Sequence, residues 1–147
     1  INVVYVDQIG GVTIGFDDLG SATSPSVTTV THTGTGRSYP IIVITGPSSG
    51  SSRIYQILSA TTSAAIYFNY TILSGEIIVL DLNPSNFSFI STFNGDIAYS
   101  IMSGSSQSEF FLMSGSNTIS VMTNGSPTAY IYWRQVFMTT SDAVGKV

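Results

Sequence analysis

The sequence predicts an all-β fold, two antiparallel sheets packed as a β-sandwich. Three observations lead there. Short runs of Ile, Val, Tyr, Phe and Thr recur between clusters of Gly, Ser and Asn along the 147 residues, as half-buried strands punctuated by turns do. No window of helical length carries apolar residues at i, i+3, i+4 and i+7. The connections are too short for the crossovers that parallel strands require, so neighbours run antiparallel. A chain of this length fits one domain and closes a two-layer core without staples.

Taken in order, strands are predicted at residues 2–6, 12–16, 26–32, 40–45, 53–58 and 65–73, then at 76–82, 86–90, 97–102, 109–113, 117–122 and 129–140. Ser74-Gly75 separates two of them and offers a residue that tolerates positive φ. Asn94-Gly95 and Asn124-Gly125 are two-residue hairpin signals, and Ser114-Gly115-Ser116 reads as a further hairpin. The last run is the clearest. Ile131, Trp133 and Phe137 share one face, while Tyr130, Tyr132, Arg134, Val136 and Met138 share the other. The first face is the core candidate, with Trp133, the only tryptophan, as its anchor. A boundary at Gly34-Thr35-Gly36 divides the chain into an N-terminal arm or linker with the first strands (1–36), the sandwich (37–140) and a C-terminal tail (141–147).

Polarity is supplied in an unusual way. Charged residues make up 8% of the chain, against about 25% in an average soluble domain, whereas there are 24 Ser, 17 Thr and 14 Gly. The surface is therefore built from hydroxyls and backbone. Four basic residues and a net charge of −4 argue against nucleic acid, whose phosphates demand Lys and Arg, and against anionic membrane surfaces. No stretch approaches the roughly 20 apolar residues of a membrane-spanning helix. The first residues lack the basic region of a signal peptide and an initiator Met, which reads as a processed product or a fragment. With no cysteine, disulfide and thiolate chemistry are excluded. Such a surface suits extracellular adhesins and virion shells, and also an ordinary β domain with few charges.

Catalytic groups are few. Asp17 and Asp18 are adjacent, an acidic turn before Gly20 or two oxygen ligands for Ca²⁺. Glu76 and Asp81 are five apart, so one strand places them on opposite faces. A glycosidase pair must face one sugar. The simpler reading is a hairpin-end charge and a strand-end partner. Asp96 follows Asn94-Gly95 as a turn residue. His32 is the only histidine, and zinc needs more nitrogen or sulfur ligands than one. Gly34-Thr35-Gly36 lacks the Lys and helix of a phosphate cradle. The sequence predicts no catalytic residue, no cofactor and no metal site.

From Tyr39 onward the motifs fall in a familiar order. Tyr39-Pro40-Ile41-Ile42-Val43-Ile44-Thr45-Gly46-Pro47 is followed by Leu73-Ser74-Gly75-Glu76-Ile77-Ile78-Val79-Leu80-Asp81. Phe110-Phe111-Leu112-Met113-Ser114-Gly115-Ser116-Asn117-Thr118-Ile119 comes next, and Trp133-Arg134 before an apolar strand closes the series. Over roughly Tyr39 to Thr140 this resembles the C-terminal domain of siphovirus-type distal tail and related tail-tip proteins of bacteriophages. The chain departs from the usual pattern at Ser114 and at Gln135-Val136, where that family has Pro. The resemblance implies a jelly-roll or galectin-like sandwich in the virion tail, with a structural role at the tail tip or baseplate. It also implies other phage tail proteins as partners, a homo-oligomer in the virion and, in some members, contact with a host-surface saccharide.

Three function classes remain: a structural virion module, a carbohydrate-binding module of a secreted or cell-surface protein, and, last, a hydrolase. Tyr130, Tyr132 and Arg134 are the candidate ligand or subunit contact. The alternation forces two aromatics and a cation onto one side of a strand, where they suit a sugar ring or a neighbouring subunit. Packing beneath a loop is the structural alternative. The Ser-rich loops at 48–52 and 103–108 are the next candidates.

Overall fold

Ile42, Ile44, Ile78 and Leu80 are buried, while their strand neighbours Ile41, Val43, Ile77 and Val79 are exposed or half-buried. That period-2 alternation decides which side of their sheet is the core. A computed structural model describes residues 4–15, 24–125 and 127–137. Its strands are β1 (Val4–Gly15), β2 (Ser24–His32), β3 (Ile41–Thr45), β4 (Ser51–Ser59), β5 (Ala64–Leu73), β6 (Ile77–Asp81), β7 (Ser88–Ser91), β8 (Gly95–Asp96), β9 (Gly115–Thr123) and β10 (Thr128–Phe137). One sheet has the order β1-β10-β3-β6-β7-β8 and the other β2-β9-β4-β5. Every pairing is antiparallel. The all-β sandwich is therefore what the sequence predicts.

The core lies between the sheets. Ile42, Ile44, Ile78, Leu80, Phe89, Ile131 and Trp133 come from the six-stranded sheet, and Val30, Ile54, Ile57, Ile66, Phe68, Tyr70, Ile72, Ile119 and Val121 from the other. Each fully buried aliphatic side chain contributes roughly 1.5–3 kcal/mol before conformational entropy is charged against it. Phe68 packs against Phe89 across the layers, with ring centroids 5.3 Å apart. Ile54 and Ile57 are both buried although three apart. A bulge between Ile54 and Gln56 admits one extra residue and resets the alternation.

Several connections differ from the expected hairpins. Ser74-Gly75 and Asn124-Gly125 carry the chain from one sheet to the other rather than between neighbours. The positive φ of Gly75 (83°) and Gly125 (82°) turns corners of the sandwich. Asn124 fixes its corner by accepting from Arg53 N and donating its own N–H to the Arg53 carbonyl. Asn94-Gly95 does close a hairpin, β7–β8. Ser114 leads into β9, whose neighbours are β2 and β4, so it makes no hairpin either. Runs 97–102 and 109–113 are not strands. They form 3-10 turns at Ala98–Ser100 and Gln107–Glu109 and isolated bridges, Phe68 to Ile101 and Ser38 to Leu112. Their apolar residues Ile97, Phe110 and Leu112 fill the core ends. The described parts of runs 2–6 and 12–16 belong to one strand, β1, whose register shifts between Val6 and Ile9; residues 2, 3 and 16 lie outside the described residues.

Candidate functional site

β10 is paired on both sides within its sheet, with β1 and β3. Its side chains therefore divide between core and outer face. Ile131 and Trp133 point inward, Trp133 with 8% of its surface exposed. The Phe137 side chain lies outside the described residues, as does Met138. On the outer face Tyr130 and Tyr132 are 39% and 37% exposed, and their rings stack with centroids 6.1 Å apart and planes 22° from parallel. Arg134 follows on the same face, exposed. Strand register extends this face sideways. Tyr130 lies opposite Val43, Val43 opposite Val79 and Val79 opposite Ile90. Tyr132 lies opposite Ile41, and Ile41 opposite Asp81.

Val136 is buried to 4% exposure, although it lines the same groove as Tyr132 and Arg134. Beyond Tyr132 the chain segment 34–38 replaces β3 beside β10. Gly36 N donates to the Val136 carbonyl at 2.7 Å and Ser38 Oγ to the Arg134 carbonyl at 2.7 Å. The approach is so close that a Cβ on Gly34 would lie 2.1 Å from Val136 O. His32 holds the same segment from beneath. It is fully buried, and its Nε2–H donates to the Gly36 carbonyl at 2.7 Å. The only histidine is thus a structural tie.

A groove of about 690 Å³ opens where the 37–41 segment, the turn after β6 and β10 meet; Arg37, Tyr39, Asp81, Asn83, Tyr132 and Arg134 are among its lining residues. The Arg37 guanidinium carbon sits 4.3 Å from the Phe111 ring centroid, and Tyr39 meets the same ring edge-on. Asp81 accepts from Asn83 N at 3.0 Å and from the Asn86 amide at 3.4 Å. Trp133 also lines the groove. Its buried indole N–H has no hydrogen-bond partner among the described residues.

The sequence reading named Tyr132 and Arg134 but missed Arg37, Tyr39 and Asn83. The spacing of Arg37 and Tyr39, two apart around Ser38, carried the same signal as Tyr132 and Arg134. Arg53 and Tyr55 carry it too, with the guanidinium 5.3 Å from the ring. β10 is therefore not the sole place where an aromatic and a cation are brought together.

The acidic side chains do not gather among the described residues. Glu76, expected as a hairpin-end charge, is fully buried at the corner between β5 and β6, which lie in different sheets. Asp81 lies on the outer face, and Asp96 accepts from Ala98 N within its turn. Asp17 and Asp18 lie outside the described residues. Among the described residues no three His, Asp or Glu side chains cluster to hold a metal.

The family model described as siphovirus-type tail component, C-terminal domain, matches residues 33–137, from just past β2 to the last residue of β10. The chain belongs to this family. The tail-component domain so defined holds β3 to β10, with the tyrosine face and the groove both inside it. Membership makes the chain a phage tail component with a structural role in assembly with other tail proteins. No curated protein and no solved structure matches it.

Proposed function

We propose that this tail-component domain is a non-catalytic part of the tail tip or baseplate, seated against a neighbouring tail subunit through the outer face of its six-stranded sheet. One observation carries the reading. The stacked Tyr130–Tyr132 pair heads a cross-strand band in which Ile41, Ile77 and Ile90 are also exposed. Contiguous apolar area on one sheet face marks an interaction surface, and tyrosine with arginine is the usual make-up of an interface centre. Arg134 supplies directed donors at the end of the pair. The non-catalytic assignment is supported by the separation of the carboxylates, since buried Glu76 and outward Asp81 share no cleft.

Replacing Tyr130, Tyr132 and Arg134 together by Ala tests the interface. The variant should keep its circular dichroism spectrum and bind tail partners, or itself, at least tenfold more weakly in sedimentation experiments, the scale of lost interface anchors. Normal assembly of a folded triple variant would place the contact elsewhere.

A further inference from the structure

We infer that the outer edge of β1 is an assembly site for a second copy of this chain, which adds its own β1 antiparallel so that the two six-stranded sheets run on as one. This goes beyond the sheet-face contact and uses none of its side chains. The first argument is a survey of edges. A strand with one unpaired side invites another chain, and folds close such sides with short strands, proline, charge or a covering loop. The two sheets end in β1, β8, β2 and β5. β8 is two residues long, and one of them is Asp96. β5 is covered where Met102 N and Ser106 N donate to the carbonyls of Tyr67 and Ala65. β2 contains Pro25, which has no N–H to offer. β1 has none of these devices. It runs for 12 residues with no proline and a single charge, Asp7. Among the described residues β10 is the only strand that pairs with it.

The second argument is direction. Successive residues of a strand turn their N–H and C=O groups to opposite sides. The carbonyls of Arg134 and Val136 point away from β1, because Ser38 Oγ and Gly36 N donate to them. Alternation therefore turns Ala129, Ile131 and Trp133 toward β1, onto Ile14, Val12 and Gly10. The residues between these, Ile9, Gly11 and Thr13, direct their N–H and C=O groups outward as a ladder ready for one more strand.

The third argument selects the occupant. Such an edge needs a partner strand as long and as free of proline and charge, and β1 itself is the only open edge of that kind among the described residues. Two-fold association through one self-complementary patch is the commonest arrangement of identical chains. A register centred on Gly11 sets that residue against itself and Ile9 against Thr13 of the second copy, so every hydrogen-bonding position is an outward-facing one. Asp7 then falls against Gly15 of the second copy, and the strand's one charge does not meet its like. Gly10-Gly11 at the centre suits the close approach of another backbone.

The test follows backbone amide hydrogen exchange in the full 147-residue chain as its concentration is raised, with sedimentation to count copies. Ile9, Gly11 and Thr13 should exchange freely in the dilute monomer and become protected as a dimer forms, whereas Gly10, Val12 and Ile14 should be protected throughout. Thr13→Pro removes an outward N–H and no bond to β10, the position at which edge prolines are tolerated. It should weaken dimerisation about tenfold, for two hydrogen bonds lost across the two-fold axis. Thr13→Val, which keeps the donor, should dimerise like the parent. Should the proline variant fail to fold, exchange in the parent still decides. A chain that stays monomeric at every concentration overturns the proposal. So does protection of the three edge amides in the monomer, which would mean that the chain covers its own edge. A dimer whose edge amides exchange freely, or a folded Thr13→Pro variant that dimerises as tightly as the parent, overturns it too. Replacing Tyr130, Tyr132 and Arg134 should leave the protection of Ile9, Gly11 and Thr13 unchanged, so a failure here is distinct from a failure of the sheet-face contact.

Discussion

Glu76 offers the sharpest test of how the two sheets are joined. Its side chain is fully buried and accepts three hydrogen bonds. Leu73 N–H donates to Oε1 at 2.9 Å, Ser91 Oγ donates to Oε2 at 2.5 Å, and the Tyr70 hydroxyl donates to the same oxygen. Tyr70 and Leu73 belong to β5 and Ser91 to β7, so one carboxylate ties both sheets at the Ser74-Gly75 corner. The donors have no easy alternative. Ser91 Oγ already accepts from Phe93 N and Asn94 N, and the Tyr70 hydroxyl already accepts from the Asn94 amide. Glu76→Ala therefore orphans two buried hydroxyls and a backbone N–H. At roughly 1–3 kcal/mol for each unsatisfied group, with some relaxation, the loss comes to about 3–5 kcal/mol. That is a large part of the roughly 5–15 kcal/mol that holds a domain folded.

Glu76→Gln sharpens the test. The amide keeps the shape but exchanges one acceptor oxygen for an NH₂ donor. Facing Oε2's partners, that NH₂ meets the Ser91 hydroxyl, whose acceptor sites are taken. Facing Oε1's partner, it meets the Leu73 N–H. Either orientation sets donor against donor, so the substitution should cost about 1–3 kcal/mol, between wild type and Ala. Urea denaturation followed by Trp133 fluorescence measures both, as shifts of midpoint at constant slope. A Glu76→Ala variant within about 1 kcal/mol of the parent, or a Gln variant as stable as the parent, would refute the reasoning.

Two further outcomes follow from the core. The Tyr70 phenol titrates above its ordinary value, first because it is buried and next because it donates to Glu76. A folded-state value raised above the unfolded one, near 10, stabilises fully below about pH 10 and progressively less as pH climbs through the folded value. Midpoints measured from pH 8 upward should therefore fall in the alkaline range for the parent and fall less for Tyr70→Phe; parallel curves would contradict this. Trp133→Ala should cost about 3–5 kcal/mol in thermal or chemical unfolding followed by circular dichroism, as truncations of buried aromatics do, and free quenching of the parent's indole by acrylamide would contradict its burial.

Most of the fold was legible because alternation is a local property. β3, β6 and the inner face of β10 follow directly from the positions of their Ile and Leu residues. What local patterning could not settle is which sheet a strand joins. Asn124-Gly125 and Ser74-Gly75 have the positive-φ residue of a hairpin, but a glycine turn serves a corner between layers as readily as a link between neighbours. The distinction rests on long-range partners such as Arg53 for Asn124 and Ser91 for Glu76. Runs 97–102 and 109–113 misled for a related reason. They have the apolar content of strands, yet they close the ends of the sandwich as turns. The candidate site was legible to the extent that it lies on one strand. Tyr130, Tyr132 and Arg134 are fixed by β10's alternation, whereas Arg37 and Asn83 reach the groove from separate loops.

The same logic explains the composition. Several hydroxyls here satisfy backbone groups rather than decorate a surface. Ser105 and Ser106 accept from Tyr67 N and Ala65 N along the outer edge of β5, while Met102 N and Ser106 N donate to carbonyls of that edge. The loop at 103–108, a fallback candidate for binding, is thereby committed to covering a strand edge that would otherwise invite pairing with another chain. Thr92 and Ser59 serve backbone N–H groups at other turns. An edge closed with serine in this way has no need of charged gatekeepers, so a charge content of 8% is compatible with a stable sandwich. The few charges it does carry are then informative by position: two of its four cations stand at one groove beside the tyrosine face. The proposed contact lies on the outer side of β10, whose inner side is fixed in the core by Ile131 and Trp133, so a change in one can be read without disturbing the other.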